Sequence, residues 1–143
     1  MNSVYSWFQN LFKPSSPSQQ AASFPAIIVA QVTNVEKHPN ADRLRIITLT
    51  DGQNSIGPVV CGAWNFEAGA VVALAKPGAT IPHDQHDPAG KSFTLSKAKI
   101  RGVESQGMIC SARELGLGED GGGIIVLKNS ERFIGQTFNS SMN

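Results

Sequence analysis

The sequence is poor in charge, in cysteine and in long apolar runs, and each shortage excludes some classes of protein. Only 16% of its 143 residues are charged, and 12 Lys and Arg nearly balance 11 Asp and Glu. A basic excess over the whole chain is therefore missing, so attraction to phosphate requires a local cluster of cations. The two cysteines, Cys61 and Cys110, are fewer than a small disulfide scaffold usually carries, which favours reduced thiols.

Membrane and export signals are also missing from the sequence. No run of about 18 apolar residues is present, so the sequence predicts no membrane-spanning helix. The N-terminus lacks the basic region followed by an apolar stretch that a secretory signal needs. We therefore expect a cytoplasmic protein that does not contact membranes.

The N-terminal segment differs in composition from the rest of the chain. Residues 1–13, "MNSVYSWFQNLFK", place apolar side chains at helical spacing and predict a short amphipathic helix. Such a helix is marginal alone, so it must pack on its own domain or on a partner. Residues 14–24 are rich in Ser and Pro and predict a flexible linker. Residues 25–143 then form one domain.

Short β-branched runs separated by turn residues dominate this domain. Residues 26–36, 44–50, 58–63 and 71–75 read as strands, and further extended segments are predicted at 92–102 and 123–128. The segment "SARELGLG" at 111–118 predicts a short helix ended by glycine. Strands at this spacing indicate a small barrel or a sandwich. We predict an all-β fold, a five-stranded OB-type barrel with one short helix.

Three cations alternate with apolar residues in the segment "KAKIR". Lys97, Lys99 and Arg101 would lie on one face of a strand, with Ala98 and Ile100 directed to the core. Such a row can follow a phosphate backbone, and OB barrels bind nucleic acids on their strand face. A solvated strand face with lysines that prevent edge aggregation is the alternative.

The segment that follows, "GVESQGM" at 102–108, carries groups suited to RNA. Ser105 and Gln106 supply a hydroxyl and an amide for 2′-hydroxyls, phosphates or base edges. Met108 offers an adaptable apolar surface against which a base can rest. The glycines on either side let a loop approach a ligand closely. The same composition is also typical of an ordinary β-turn.

No catalytic, metal or cofactor site is predicted. His83, Asp84, His86 and Asp87 suggest a metal site, but close cysteine ligands are missing, and an exposed polar loop explains them better. The glycine-rich segment 118–123 lacks the lysine and spacing of a phosphate-binding loop. Both cysteines have apolar neighbours, as inert core thiols do.

Four motifs occur in order and carry a family resemblance: "EKHPNADRLRI" at 36–46, "VVCGAWN" at 59–65, "KAKIRGVESQGMICSARELGLGED" at 97–120 and "GGIIVL" at 122–127. Together they resemble the tRNA-binding domain near the N-terminus of the bacterial phenylalanyl-tRNA synthetase β subunit. The same OB-fold module occurs in freestanding tRNA-binding proteins, in some methionyl-tRNA synthetases and in EMAP-II-like cofactors. The resemblance covers residues 26–138.

The resemblance implies roles for individual residues. His38 and Asn40 match the family's first loop beside the binding face, and Asn65 matches an asparagine that ties down a loop by hydrogen bonds. Trp64 departs from the family, where proline is usual; it either stacks on a base or covers the barrel end. The RNA-binding residues predicted from pattern and resemblance together are Lys97, Lys99, Arg101, Ser105, Gln106, Met108, His38, Asn40 and Asn65.

The implied function is binding of the tRNA backbone and shape, in support of aminoacylation. The domains that follow in a β subunit are missing, so we expect either a fragment or truncated β subunit, or a freestanding module. A protein-interaction module is the rival of another class. Expected partners are tRNA and, through the N-terminal helix, the synthetase α subunit or a second copy. Catalysis would require an intact phenylalanine–tRNA ligase.

Overall fold

The computed structural model describes residues 23–143, and this part of the chain is all-β, as predicted. The predicted helix at 1–13 and most of the predicted linker lie outside the described residues. The longer strands are β1 (Ser23–Lys37), β2 (Arg45–Thr50), β3 (Ser55–Cys61) and β4 (Val71–Ala75). The short strands are β5 (Thr80–Ile81), β6 (Phe93–Thr94), β7 (Ala98–Ile100), β8 (Val103–Ser105), β9 (Met108–Ile109), β10 (Val126–Leu127) and β11 (Thr137–Asn139).

The main sheet is antiparallel and has the strand order β10-β4-β1-β2-β3, with β9 also paired to β4 and β11 to β1. Its two edges approach each other just before β9. The N–H of Gln106 donates to the Pro58 carbonyl oxygen at 2.8 Å, which ties this segment to β3. The sheet therefore curls toward closure, which is consistent with the predicted OB-type barrel.

Strand β4 is buried along its whole length because apolar clusters cover both of its faces. Val71, Ala73 and Ala75 belong to one cluster, which includes Phe138 and Cys110. Val72 and Leu74 belong to the other, with Cys61 and side chains from β2 and β3. Alternation along the strand sends successive side chains to opposite faces. A continuous apolar run such as "VVALA" is what a strand buried on both faces requires.

The short helix predicted at 111–118 is a series of turns instead. It begins as a helix would, since the Ser111 hydroxyl accepts the Glu114 N–H and the Glu114 carboxylate accepts the Ser111 N–H. Gly116, at φ +73°, then turns the chain before a second helical turn forms. Within residues 23–143 the only helical elements are 3₁₀ turns at Glu131–Phe133 and Ser140–Met142. Residues 23–143 contain no candidate for a membrane-spanning helix.

Candidate nucleic-acid interface

The cation-rich segment forms a tight hairpin of β7 and β8. Ile100 pairs with Val103, which leaves Arg101 and Gly102 as a two-residue turn. Both turn residues have positive φ, +52° and +92°. This is the backbone of a type I′ turn, whose twist matches that of the flanking strands. Arg101 therefore sits at the hairpin tip in a conformation that glycine and asparagine adopt more readily.

The predicted alternation of the cation row is wrong in part. Only Lys99 lies within a strand, Lys97 precedes β7, and Arg101 belongs to the turn. Ala98 was predicted to face the core but is exposed, whereas Ile100 is half-buried. The reason is that β7 pairs with β8 alone and forms the outer edge of a two-stranded sheet. A strand in that position has little core to face.

The three cations nevertheless remain available to a ligand. Lys97, Lys99 and Arg101 are exposed, and none forms an ion pair with another described residue. Glu104 is directly opposite Lys99 in the hairpin register and offsets part of its charge. The hairpin thus presents three cations and one carboxylate to solvent.

The loop between β1 and β2 is docked on the hairpin tip. Asn40 Nδ2 donates to the Arg101 carbonyl oxygen at 3.1 Å, and Arg101 Nη2 donates to the Asn40 carbonyl oxygen at 3.3 Å. Below them His38 is buried, and its Nδ1 accepts the Asn40 N–H at 2.9 Å. The proton is therefore on Nε2, which donates to the Ile100 carbonyl oxygen at 3.1 Å. The fold thus brings together loop and hairpin residues about 60 positions apart in sequence.

Exposed polar and charged side chains cover this junction. We call it the hairpin–loop surface and define it by four exposed residues: Lys97, Lys99, Arg101 and Asn40. Ser105 lies beneath it, only 3% exposed. Its hydroxyl accepts the Val60 N–H at 2.9 Å and donates to the Gly107 carbonyl oxygen at 2.8 Å. Gln106 and Met108, both half-buried, continue from it toward β4.

Comparison with known proteins places the chain in a family. The profile of the family described as "Putative tRNA binding domain" matches residues 27–133, which include the hairpin–loop surface. The chain belongs to this family. The phenylalanine–tRNA ligase beta subunit of Chlamydia pneumoniae is 54% identical over 97 residues, 68% of this chain and 12% of that protein. The protein of the same name from Aromatoleum aromaticum is 44% identical over 110 residues, 77% of this chain and 13% of that protein.

The chain therefore spans about one eighth of the length of these relatives. Among solved structures, an RNA ligase of Naegleria gruberi aligns with a TM-score of 0.48 and 16% identity, over 77% of this chain and 34% of the other. Sequence rather than structural likeness thus identifies the tRNA-binding domain.

Asn65 holds two distant segments of the tRNA-binding domain together. Its Nδ2 donates to the Ile124 carbonyl oxygen and its Oδ1 accepts the Ile124 N–H, both at 3.0 Å. The side-chain amide thus forms the pair of hydrogen bonds with the Ile124 backbone that a residue of a neighbouring strand would form. The space it fills is tight, since a Cβ at Gly123 would lie 2.8 Å from Asn65 Cγ. Asn65 ties down a loop, as the resemblance implied.

Lys76 is a cation of the tRNA-binding domain that sequence reasoning missed. Together with Lys97 and Gln106 it lines a surface cavity of about 410 Å³. Asp51 lies at the same cavity, and hydrogen bonds from the backbone N–H groups of Asn54 and Gln53 hold the pKa of its carboxyl below the usual value. In sequence Lys76 stands alone before Pro77, so no local pattern pointed to it.

The polar loop that contains His83 and His86, considered above as a metal site, is held by hydrogen bonds within tight turns. Asp84 Oδ1 accepts the His86 N–H at 2.9 Å, and Asp87 Oδ1 accepts the Ala89 N–H at 2.9 Å. Nδ1 of His83 is 3.2 Å from the Gly90 carbonyl oxygen. Over residues 23–143, no group of three or more His, Cys, Asp or Glu side chains is arranged to hold a metal ion.

Proposed function

We propose that the tRNA-binding domain contacts the tRNA backbone through the hairpin–loop surface. The observation that carries this proposal is the docking of the β1–β2 loop on the hairpin tip. It fixes the backbone beneath Arg101 and Asn40 while leaving the cations of Lys97 and Lys99 free. A surface whose backbone is held by hydrogen bonds and whose lysine side chains have no ion-pair partner within residues 23–143 suits a ribose-phosphate chain, which varies little from one tRNA to another.

We assign two kinds of role to the predicted residues. Lys97, Lys99, Arg101 and Gln106 are exposed or half-exposed and would contact RNA, with Met108 as an apolar neighbour. His38 and Ser105 have their polar atoms occupied by the protein's own backbone. They would act as positioning residues that hold loop, hairpin and β3 in register. Asn65 would do the same at the 121–124 segment.

The charge balance of the surface sets the expected strength of binding. Each phosphate neutralised by a cation releases counterions, so affinity falls with salt in proportion to the number of contacts. Three cations and one opposing carboxylate support two or three phosphate contacts. Affinity should therefore be modest and strongly salt-dependent, and it should differ little between tRNAs because phosphate contacts carry no sequence information.

Filter-binding titrations of the double variant Lys99→Ala/Arg101→Ala test the assignment. The variant should lose about tenfold or more in tRNA affinity, and the slope of log affinity against log salt should fall by about 2, one for each contact removed. Several different tRNAs should be affected alike, since the lost contacts are to the backbone.

Lys128→Ala is the matched control, because Lys128 is an exposed cation that follows β10, outside the hairpin–loop surface. It should change affinity and slope little. Lys128→Ala removes one charge and the double variant removes two. If the control lost about half as much binding free energy as the double variant, net charge alone would explain the loss and the proposal would fail. A loss confined to one tRNA would contradict backbone recognition.

For the whole protein we propose a role as part of a phenylalanine–tRNA ligase β subunit, where the domain delivers tRNA. The support is identity of 44–54% to proteins of that name. We also propose that residues 1–13 bind the synthetase α subunit or a second copy of the chain. We further propose a cytoplasmic location, because tRNA is aminoacylated there. Deletion of residues 1–13 should abolish that protein contact and leave tRNA affinity unchanged. A complex that survives the deletion would exclude this segment as the contact.

A further inference from the structure

Trp64 is a large aromatic side chain left in solvent. Its exposed fraction is 55%, and within residues 23–143 the only other exposed large hydrophobic side chain is Val126, at 36%. Trp64 lies in the connection between β3 and β4, beside the exposed polar residues Asn65 and Glu67. The exposed part of the indole is apolar area that a stacking ligand would remove from water.

The ring is held rigidly even though it is exposed. Nε1 donates to the Arg43 carbonyl oxygen at 3.1 Å, which fixes the orientation of the indole. The buried guanidinium of Arg45 stacks on the ring at 4.5 Å and on Phe66 at 4.7 Å. The Arg45 guanidinium is itself fixed by bonds to the Phe66 carbonyl oxygen and the Glu67 carboxylate. A preordered ring loses little conformational entropy when a ligand binds it.

Trp64 is also continuous with the hairpin–loop surface. The β1–β2 loop that bonds Arg101 through Asn40 bonds Trp64 through Arg43. Asn40 and Arg43 are three positions apart in the chain, so their Cα atoms are separated by at most about 11 Å. The Arg43 side chain is exposed, and no hydrogen bond or ion pair to other described residues engages it. A cation and an aromatic platform thus lie side by side at the end of the basic surface.

We propose that Trp64 stacks on an unpaired nucleobase of the bound RNA, with Arg43 beside it for the adjoining phosphate. This inference rests on the proposed function, which supplies the RNA, and adds a contact of a different chemical kind. Stacking needs a free π-face, so the site should select single-stranded nucleotides and be indifferent to base identity. A protein partner fits less well, since one side chain ringed by polar residues is far smaller than a stable protein interface.

Substitution of the ring separates stacking from a structural role. Trp64→Ala in the full chain should weaken binding of an unpaired RNA oligonucleotide about fivefold or more. Trp64→Phe loses the bond to Arg43 but keeps an aromatic face, so it should bind within about twofold of the parent. A ring that only anchored the loop would make the two variants equally weak. Val126→Ala is the matched control, and it should leave binding unchanged.

Fluorescence provides a second readout that does not depend on the Ala variant folding. The chain has two tryptophans, Trp7 and Trp64, so Trp7→Phe leaves Trp64 as the sole indole. Its emission should be quenched by the unpaired oligonucleotide and should not change with a blunt RNA duplex of the same length, whose bases are already stacked. Quenching by both RNAs alike, or by neither, would overturn the proposal.

The outcomes also separate this inference from the proposed function. If Lys99→Ala/Arg101→Ala abolishes tRNA binding while Trp64→Ala binds as the parent does, the stacking site is refuted and the hairpin–loop surface stands. If Trp64→Ala alters only self-association, the ring is a protein contact and the inference is wrong. If the parent chain binds no RNA, both proposals fail together.

Discussion

At the scale of single residues, the buried cation Arg45 holds the connection between β3 and β4 in place. It is 4% exposed and stacks between Trp64 and Phe66. Its Nη2 donates to the carbonyl oxygens of Ala63 and Phe66, at 3.1 and 2.9 Å. Within the described residues its Nε is the one buried side-chain nitrogen or oxygen without a hydrogen-bond partner. Arg45 therefore stabilises the 63–67 segment at the cost of one unsatisfied donor.

Arg45→Ala should lower the free energy of unfolding by about 3 kcal/mol, because two backbone carbonyls lose their donor and two rings lose a packing partner. Glu67→Ala should cost less than about 1 kcal/mol, since the carboxylate in this ion pair is 73% exposed and largely screened. Urea denaturation of both variants measures the difference. Equal losses would place the stabilisation in the ion pair and contradict the assignment to the carbonyl bonds.

At the scale of elements, the tip of the β7–β8 hairpin is the place where the proposed RNA contact and the backbone conformation make different demands on one residue, Arg101. Arg101 adopts φ +52°, which disfavours most side chains, yet the tip carries arginine where asparagine would be the usual choice. Backbone preference alone would not select arginine here. The proposed function would account for the arginine by the charge it presents at the hairpin–loop surface, and the docked Asn40 loop stabilises the turn.

Arg101→Asn should separate these two demands. The free energy of unfolding should stay the same or rise by up to about 1 kcal/mol, because asparagine tolerates the left-handed conformation. The tRNA affinity should fall about fivefold, because one cation is lost. Urea denaturation and filter binding measure the two effects, and Arg101→Lys, which keeps the charge, should retain most of the affinity. Unchanged binding by Arg101→Asn would show that the guanidinium does not contact tRNA.

At the scale of the whole molecule, two apolar clusters share strand β4 and so should unfold together. Each cluster contains one free cysteine, Cys110 in the first and Cys61 in the second. Burial raises the pKa of both thiols; the Glu114 carboxylate raises that of Cys110 further, whereas at Cys61 the Ala63 N–H and the Arg45 guanidinium oppose part of the rise. Both thiols are therefore protonated at neutral pH in the folded protein, and thiols react as thiolates.

Single-cysteine variants, Cys61→Ala and Cys110→Ala, test this cooperativity. Against a thiol reagent at neutral pH, each remaining cysteine should be inert in the folded state and react only as the chain unfolds. The two urea midpoints for reaction should each coincide with the loss of β-sheet circular dichroism in the same variant. A thiol that reacts well below that transition would show that its cluster opens independently, and would refute the shared-strand argument.

The fold could be predicted from the sequence more completely than the geometry of the candidate site. The β-branched runs located β1 to β4 because burial on one or both faces leaves a pattern in the chain. The cation row was misjudged, since alternation assumes a strand with a core on one side, and β7 has only β8 beside it. The predicted helix at 111–118 was wrong for a different reason: its first turn has the right capping residues, but Gly116 ends it.

The sequence by itself determined the all-β class, the main strands and membership of the tRNA-binding family, because apolar periodicity and linear motifs are local properties of the chain. Only the tertiary structure decided which residues meet. It docked the Asn40 loop on the Arg101 turn, occupied the hydroxyl of Ser105, placed Lys76 at the cavity that Lys97 also lines and stacked Arg45 on Trp64. These residues are far apart in sequence, so only the pairing of distant strands and the docking of the loops between them bring them together.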